Sequence, residues 1–185
     1  MRTSKFSVAL AVLVLTGCAG TSTAAADHTR ADVEFATGMI PHHGQALTMA
    51  DLALDKAQSA PVRKLAEQIK AAQDPEIVQM SGLLKGWSQP VPTATGHVHD
   101  MVGMSHEGSG MMTAAQMIEL ENAQGATFDR EWTEMMIQHH QGAVAMSETV
   151  LDEGSSPAIE TLAEAIIQGQ TAEIDEMQKL LDTSL

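Results

Sequence analysis

Two adjacent histidines follow a methionine at Met39-Ile-Pro-His42-His43, and the spacing returns at Met136-Ile-Gln-His139-His140. A further methionine closes each pattern, Met49 in the first and Met146 in the second. Thioether sulfur is a soft donor that selects Cu(I), and imidazole suits copper as well. A single methionine at helical spacing is more often core filler than ligand. Paired histidines in both copies are harder to treat as filler, because a buried imidazole needs a partner.

The duplication extends beyond these motifs at a constant offset of 97. Asp32 matches Asp129, and Phe35 meets Trp132. Gln73-x-x-Glu76-Ile77-x-x-Met80 returns as Gln170-x-x-Glu173-Ile174-x-x-Met177. At about 100° per residue, Asp32, Phe35, Met39, His42, His43, Ala46 and Met49 share one helical arc of about 120°. That arc is the apolar stripe, so it should face a core, and the second copy does the same. Ser59-Ala-Pro61 and Gly154-Ser-Ser-Pro157 mark turns, each followed by a helix start. Each half therefore reads as one αα-hairpin. Two hairpins predict an all-α, up-down four-helix bundle with an approximate two-fold axis.

The predicted organisation has hairpin one over 31–86, an irregular connection over 87–112, a short helix over 113–124 and hairpin two over 126–183. Together they form one bundle domain over 31–185. Thr113-x-x-Gln116 is a capping box for the short helix. Pro41 and Pro75 predict a kink or break in the first hairpin, and a straighter second one.

In such a bundle the first and third long helices run parallel across a diagonal, which sets their His pairs at one height. Reflection through the turn near Gln58 brings Gln73, Glu76 and Met80 level with His42 and His43; Gln170, Glu173 and Met177 match them. One layer then collects imidazole, thioether, carboxylate and amide groups. Met39 lies roughly 4.5 to 6 Å along the axis from His42 and His43, but His42 and Met49 are roughly 10.5 Å apart. The expected inner ligands are thus Met39, His42, His43, Met136, His139 and His140. Met49 and Met146 fall in a neighbouring layer or second site. Gln73, Glu76, Met80, Gln170, Glu173 and Met177 stand behind them, the carboxylates able to orient a ligating imidazole through its other nitrogen. The alternative is a buried polar network that fixes the register of the bundle.

The connection contains His97, His99, Met101, Met104, His106, Met111 and Met112 among glycines and serines. Such a His/Met tract reads as an additional metal-capture segment, or else as a solvated loop.

The chain opens with basic Arg2 and Lys5, an apolar run from Phe6 to Leu15, and Leu15-Thr-Gly-Cys18. The run is of signal-peptide length and too short to span a membrane. Leu15-Thr-Gly-Cys18 resembles a bacterial lipobox, with 1–17 as the signal, Cys18 as the lipidated residue and 18–30 as a tether. This places the domain outside the cytoplasm, anchored to the cell membrane by acyl chains. Cys18 is the single cysteine, so neither an intrachain disulfide nor a Cys-x-x-Cys metal site can form. The net charge of −14 disfavours nucleic acid and attracts cations. With no Tyr, 3 Phe, 2 Trp and 13 Met, the core must be built from Ala, Leu, Ile, Val and Met, which favours helices.

The paired Met-x-x-His-His-x5-Met helices and the Gln-x-x-Glu-Ile-x-x-Met helices resemble domain-of-unknown-function family 305, over about Asp32 to Leu181. The resemblance implies a ferritin-like four-helix bundle in a secreted or lipid-anchored bacterial protein. It also implies periplasmic copper binding, with Met39, His42, His43, Met49, Met136, His139, His140 and Met146 as ligands. Copper buffering, sequestration or delivery is the leading expectation, with no enzymatic activity. A metal-free structural or partner-binding bundle is the alternative. A di-iron oxidoreductase ranks lower, since the chain has no Glu-x-x-His, the motif that such sites use. No nucleophile–base constellation or phosphate loop is present.

Overall fold

The computed structural model describes residues 27–94 and 110–183. Five helices follow in order: α1 (Arg30–Lys56), α2 (Ala60–Gly86), α3 (Ala114–Asn122), α4 (Gly125–Glu153) and α5 (Pro157–Thr183). No strand occurs among the described residues. The all-α four-helix bundle built from two hairpins stands as expected, with α3 as the short extra helix. The signal, Cys18 and most of the tether lie outside the described residues, as do His97, His99, Met101, Met104 and His106. Among the described residues no helix is long and apolar enough to cross a membrane.

Local chemistry sets the helix starts. Thr29 and Asp32 form a capping box on α1, and Thr113 and Gln116 form one on α3. Pro61 sits in the first turn of α2, where its missing N–H is harmless. Gly125 takes a φ of +62°, open to glycine at little cost, and the chain turns there into α4. The helices run unbroken through Pro41 and Pro75. A proline forfeits one rung of the ladder. Around Pro41 the fully buried Met39, Ile40, His43 and Ala46 hold both flanks in place.

The direction of the second hairpin differs from the parallel, diagonal arrangement. Asp32 meets Ser155 and Ser156, His42 meets His139, and the Met49 carbonyl accepts from Trp132 Nε1 at 2.8 Å. The indices fall on α4 as they rise on α1, so the two helices are antiparallel neighbours. A repeat reports equivalent environments, but it does not report which way the second copy points. α2 lies along α1 and α5 along α4, while α2 and α5 meet only narrowly.

The axis relating the hairpins passes through the contact between His42 and His139, which are repeat counterparts. It exchanges two locks. Asp32, at the start of α1, accepts from the Ser155 N–H at 3.0 Å and the Ser156 N–H at 3.3 Å, in the α4–α5 turn. Asp129, at the start of α4, accepts from the Gln58 N–H at 3.1 Å and the Ser59 N–H at 2.7 Å, in the α1–α2 turn. Each hairpin thereby caps the turn of the other.

Burial pushes the Asp32 carboxyl up, but the hydrogen bonds from Thr29, Ser155 and Ser156 together outweigh it and hold the pKa below the usual carboxylate value. A depressed folded-state pKa contributes stability above the unfolded value, about 3.9, that is lost as pH falls through the folded value. Urea unfolding at pH 7 and at pH 3 should show this loss in the wild type and a smaller loss in Asp32→Asn. Equal acid sensitivity would remove Asp32 from the account.

Candidate metal centre

Two apolar clusters fill the bundle, one at each end. The first contains Met39, Ile40, Met80, Leu84, Val150 and Ile166; the second contains Met49, Leu65, Ile69, Phe128, Trp132, Met136 and Met177. Between them every long helix contributes polar residues: His42 and His43 on α1, Gln73 on α2, His139 and His140 on α4, and Gln170 on α5. All six are buried. The helical periodicity that fills the two ends thus also points this polar layer inward.

The His42 and His139 rings lie 3.8 Å apart between centroids, on the two-fold axis, with their planes 40° apart. His43 and His140 point outward into their own hairpins. His43 Nε2 is 2.7 Å from Glu76 Oε2, and His140 Nε2 is 2.8 Å from Glu173 Oε2. The two histidines are completely buried and the two glutamates partly so. A carboxylate only accepts, so each Nε2 carries the hydrogen of that bond and each Nδ1 is the nitrogen left for a further partner. Neither Nδ1 has a hydrogen-bond partner among the described residues.

His139 is fully buried, and its ring nitrogens make no side-chain hydrogen bond among the described residues, their one polar neighbour being the His42 backbone. Its pKa is held well below the usual histidine value, first by loss of solvent, then by His42, His140 and His43; the His42 backbone acts the other way as the smallest cause. The ring is therefore neutral, the form in which imidazole ligates metals.

The thioethers divide across this layer. Met39 and Met80 lie in one end cluster, with Met146 packed against it; Met49, Met136 and Met177 lie in the other. Each hairpin contributes two members of a trio and the opposite hairpin one. The structure thus separates Met39 from Met136, which the height argument had gathered in one set, because the axis is perpendicular to the helices. Met146 is partly exposed, and its methyl group packs on Gly38.

Among the described residues no group of three or more His, Cys, Asp or Glu is arranged to hold a metal ion. A soft centre draws on nitrogen and thioether donors, and these are what the layer offers. Buried ring nitrogens without partners require an explanation, and a neutral imidazole in a layer between two methionine-containing clusters fits copper.

Both described ends of the connection are tied to the histidine-bearing helices. A Cβ on Gly44 would overlap the Ala94 carbonyl, and a Cβ on Gly110 would crowd the backbone of Gln138 and Gly142. Gln45 clamps Met112 through two hydrogen bonds, Nε2 to its carbonyl at 2.8 Å and its N–H to Oε1 at 2.7 Å. Met112 is packed in the core and Met111 is partly buried. Sequence reasoning missed the Gln45 clamp because its repeat counterpart is Gly142. It placed Asp32 and Asp129 on the inner stripe without finding their exchanged bonds, although their repetition was the available signal.

A partner that orients a ligating imidazole affects affinity about 10- to 100-fold. Glu173→Gln, which keeps an acceptor but removes the charge, should weaken the tightest Cu(I) binding within that range while leaving the apo-protein folded. A competitive Cu(I) titration checks this, and unchanged affinity would leave His140–Glu173 as a structural pair only.

The family model described as Domain of unknown function (DUF305) matches residues 32–181. A crystal structure of a DUF305 fragment from Deinococcus radiodurans is 34% identical, covers 83% of this chain and 97% of that chain, and gives a TM-score of 0.73. CopM in its Cu(II)-bound form is 35% identical over 83% of this chain and 97% of that one, with a TM-score of 0.71. CopM in its Cu(I)-bound form is 33% identical, covers 82% and 95%, and gives 0.67. A search of curated protein sequences finds no match.

Proposed function

The chain belongs to the DUF305 family, and from that premise we propose that it is an extracytoplasmic, lipid-anchored protein that binds copper as Cu(I) for buffering, sequestration or delivery. The observation that carries the reading is His139: a neutral, fully buried imidazole on the two-fold axis, whose ring nitrogens make no side-chain hydrogen bond among the described residues and have only the His42 backbone as a polar neighbour. The copper- and silver-bound forms of CopM, a similar fold at about one-third identity, support the choice of metal. The lipobox at Cys18 supports the anchor.

His42, His139, His43 and His140 supply nitrogen donors in this reading. The trios Met39–Met80–Met146 and Met136–Met177–Met49 supply soft sulfur on either side, so two related sites are expected. Copper supplies a soft acceptor for these donors. The protein's contribution is to hold buried imidazoles in a dry layer, to fix two of them through Glu76 and Glu173, and to exclude water. Gln73 and Gln170 border the same layer.

The His97 to Met112 segment is proposed as a second, weaker capture element, because a segment that must order itself on binding loses conformational entropy. The test is a Cu(I) titration of the mature domain against a competing chelator, with Zn(II) and Fe(II) in parallel. Cu(I) should bind far more tightly than either. Deleting residues 95–109 should lower the copper stoichiometry and leave the tightest class nearly unchanged. Absent or non-selective Cu(I) binding would leave the metal-free bundle as the reading.

A further inference from the structure

The internal symmetry is broken where α3 packs on the bundle. Near the end of α1 and the start of α4, the helix α3 lies across the groove between them. Its Met117 and Leu120, three residues apart, are fully buried in one cluster with Met49, Ala53, Phe128 and Trp132. Lys56 donates to the Glu121 carbonyl near the end of α3 and sits 5.3 Å over the Phe128 ring.

The two-fold axis carries this bed onto the start of α1 and the end of α4. There the counterparts of Phe128, Trp132, Met49, Ala53 and Lys56 are Ala31, Phe35, Met146, Val150 and Glu153. No counterpart of α3 lies over them among the described residues. They line, with Glu34 and Thr149, an open groove of about 200 Å³. Phe35 and Val150 form its floor, 5% and 4% exposed.

We infer that this groove is a docking site for an amphipathic helix of another protein, one that presents two apolar side chains at i and i+3 and carries basic residues beside them. The filled groove shows the mode: a short helix, an apolar pair in the cleft, and a charged residue of α1 at its end. The charge identifies the occupant. Where Lys56 receives the carbonyl end of α3, the open groove has Glu153, and Glu34 lies on the other rim, exposed and paired at 3.2 Å with Arg30. An acidic rim on a chain of net charge −14 favours a basic helix. A second copy's α3 fits poorly, since it carries Glu119 and Glu121 and has already buried its apolar pair. The site does not rest on the copper reading, although Met146 in its wall would bring the partner to the edge of the cluster that contains Met39 and Met80.

The probe is a synthetic peptide of residues 113–124 with Glu119→Lys and Glu121→Lys, compared with the unaltered peptide. The basic peptide should bind the apo-protein, with NMR shift changes confined to Ala31, Glu34, Phe35, Thr149, Val150 and Glu153. Adding Met117→Ala and Leu120→Ala to the peptide should weaken it at least tenfold. Glu34→Lys with Glu153→Lys in the protein should weaken the basic peptide at least tenfold and strengthen the unaltered one. Absent binding, shifts scattered over the acidic surface, or indifference to the apolar pair would overturn the proposal. So would a dimer by sedimentation that Glu34→Lys with Glu153→Lys dissolves, which would give the groove to a second copy. Shift mapping on the wild-type protein decides the matter even if the charge-reversed variant fails to fold.

Discussion

His139→Ala should weaken the tightest Cu(I) class by at least about 100-fold, the upper end of what is lost when only a supporting partner of a ligand is removed. His139 lies on the axis, so its loss strikes both proposed sites, whereas His140→Ala strikes one hairpin and should leave one tight ion. The apo-protein should tolerate the change. Truncation opens a cavity, which costs stability, but it also removes two buried nitrogens that make no side-chain hydrogen bond among the described residues, which offsets that cost. Chelator competition and urea unfolding, run on the same variant, separate the two effects. If His139→Ala binds as the wild type does while deletion of 95–109 abolishes tight binding, the bundle histidines are structural and the site lies in the connection.

Trp132→Ala should be the most damaging single truncation, at about 3–5 kcal/mol. The indole is fully buried, donates to the Met49 carbonyl, and packs with Phe128, Met117 and Leu120 beneath α3. In a chain with five Phe and Trp residues and no Tyr, Phe128 is the one aromatic in the same cluster, and it is itself fully buried and packed. Its repeat counterpart gives an internal control. Phe35 borders the open groove, so solvent and neighbours can relax into the gap, and Phe35→Ala should cost measurably less. Urea midpoints of the two variants test the difference; equal losses would mean that α3 adds little to the packing around Trp132.

The fold was legible because several independent signals agree. The apolar arcs of Phe35-Met39-His42-Ala46 and of Trp132-Met136-His139-Ala143 have one period, Pro61 and Pro157 follow the turns, and Thr113 caps α3. The level of the polar layer was legible for a reason unconnected with the assumed direction. His42 and His139 sit on the axis, so they share a height whether the second hairpin runs parallel or antiparallel. Residues off the axis do depend on direction. Met39 and Met136 lie three residues from it in opposite senses, and the fold therefore sends them to opposite ends. Gln45 was hidden because a lone glutamine on an inner arc carries no signal until the backbone it clamps is known. The open groove was hidden because α3 lies outside the repeat: the sequence predicts a short helix there but not the bed on which it rests.

The exchanged caps bear on the origin of the molecule. Asp32 satisfies the turn at Ser155 and Ser156, and Asp129 satisfies the turn at Gln58 and Ser59. A solitary hairpin would hold a carboxylate without its amides and amides without their carboxylate. Its natural complement is another copy of itself, turned end for end, and the present chain has the form of such a homodimer after fusion of two copies of one gene. Fusion frees each half from having to serve both roles. Pro41 opposite Gln138, Gln45 opposite Gly142, and an occupied bed opposite a vacant one are the divergences that this freedom permits.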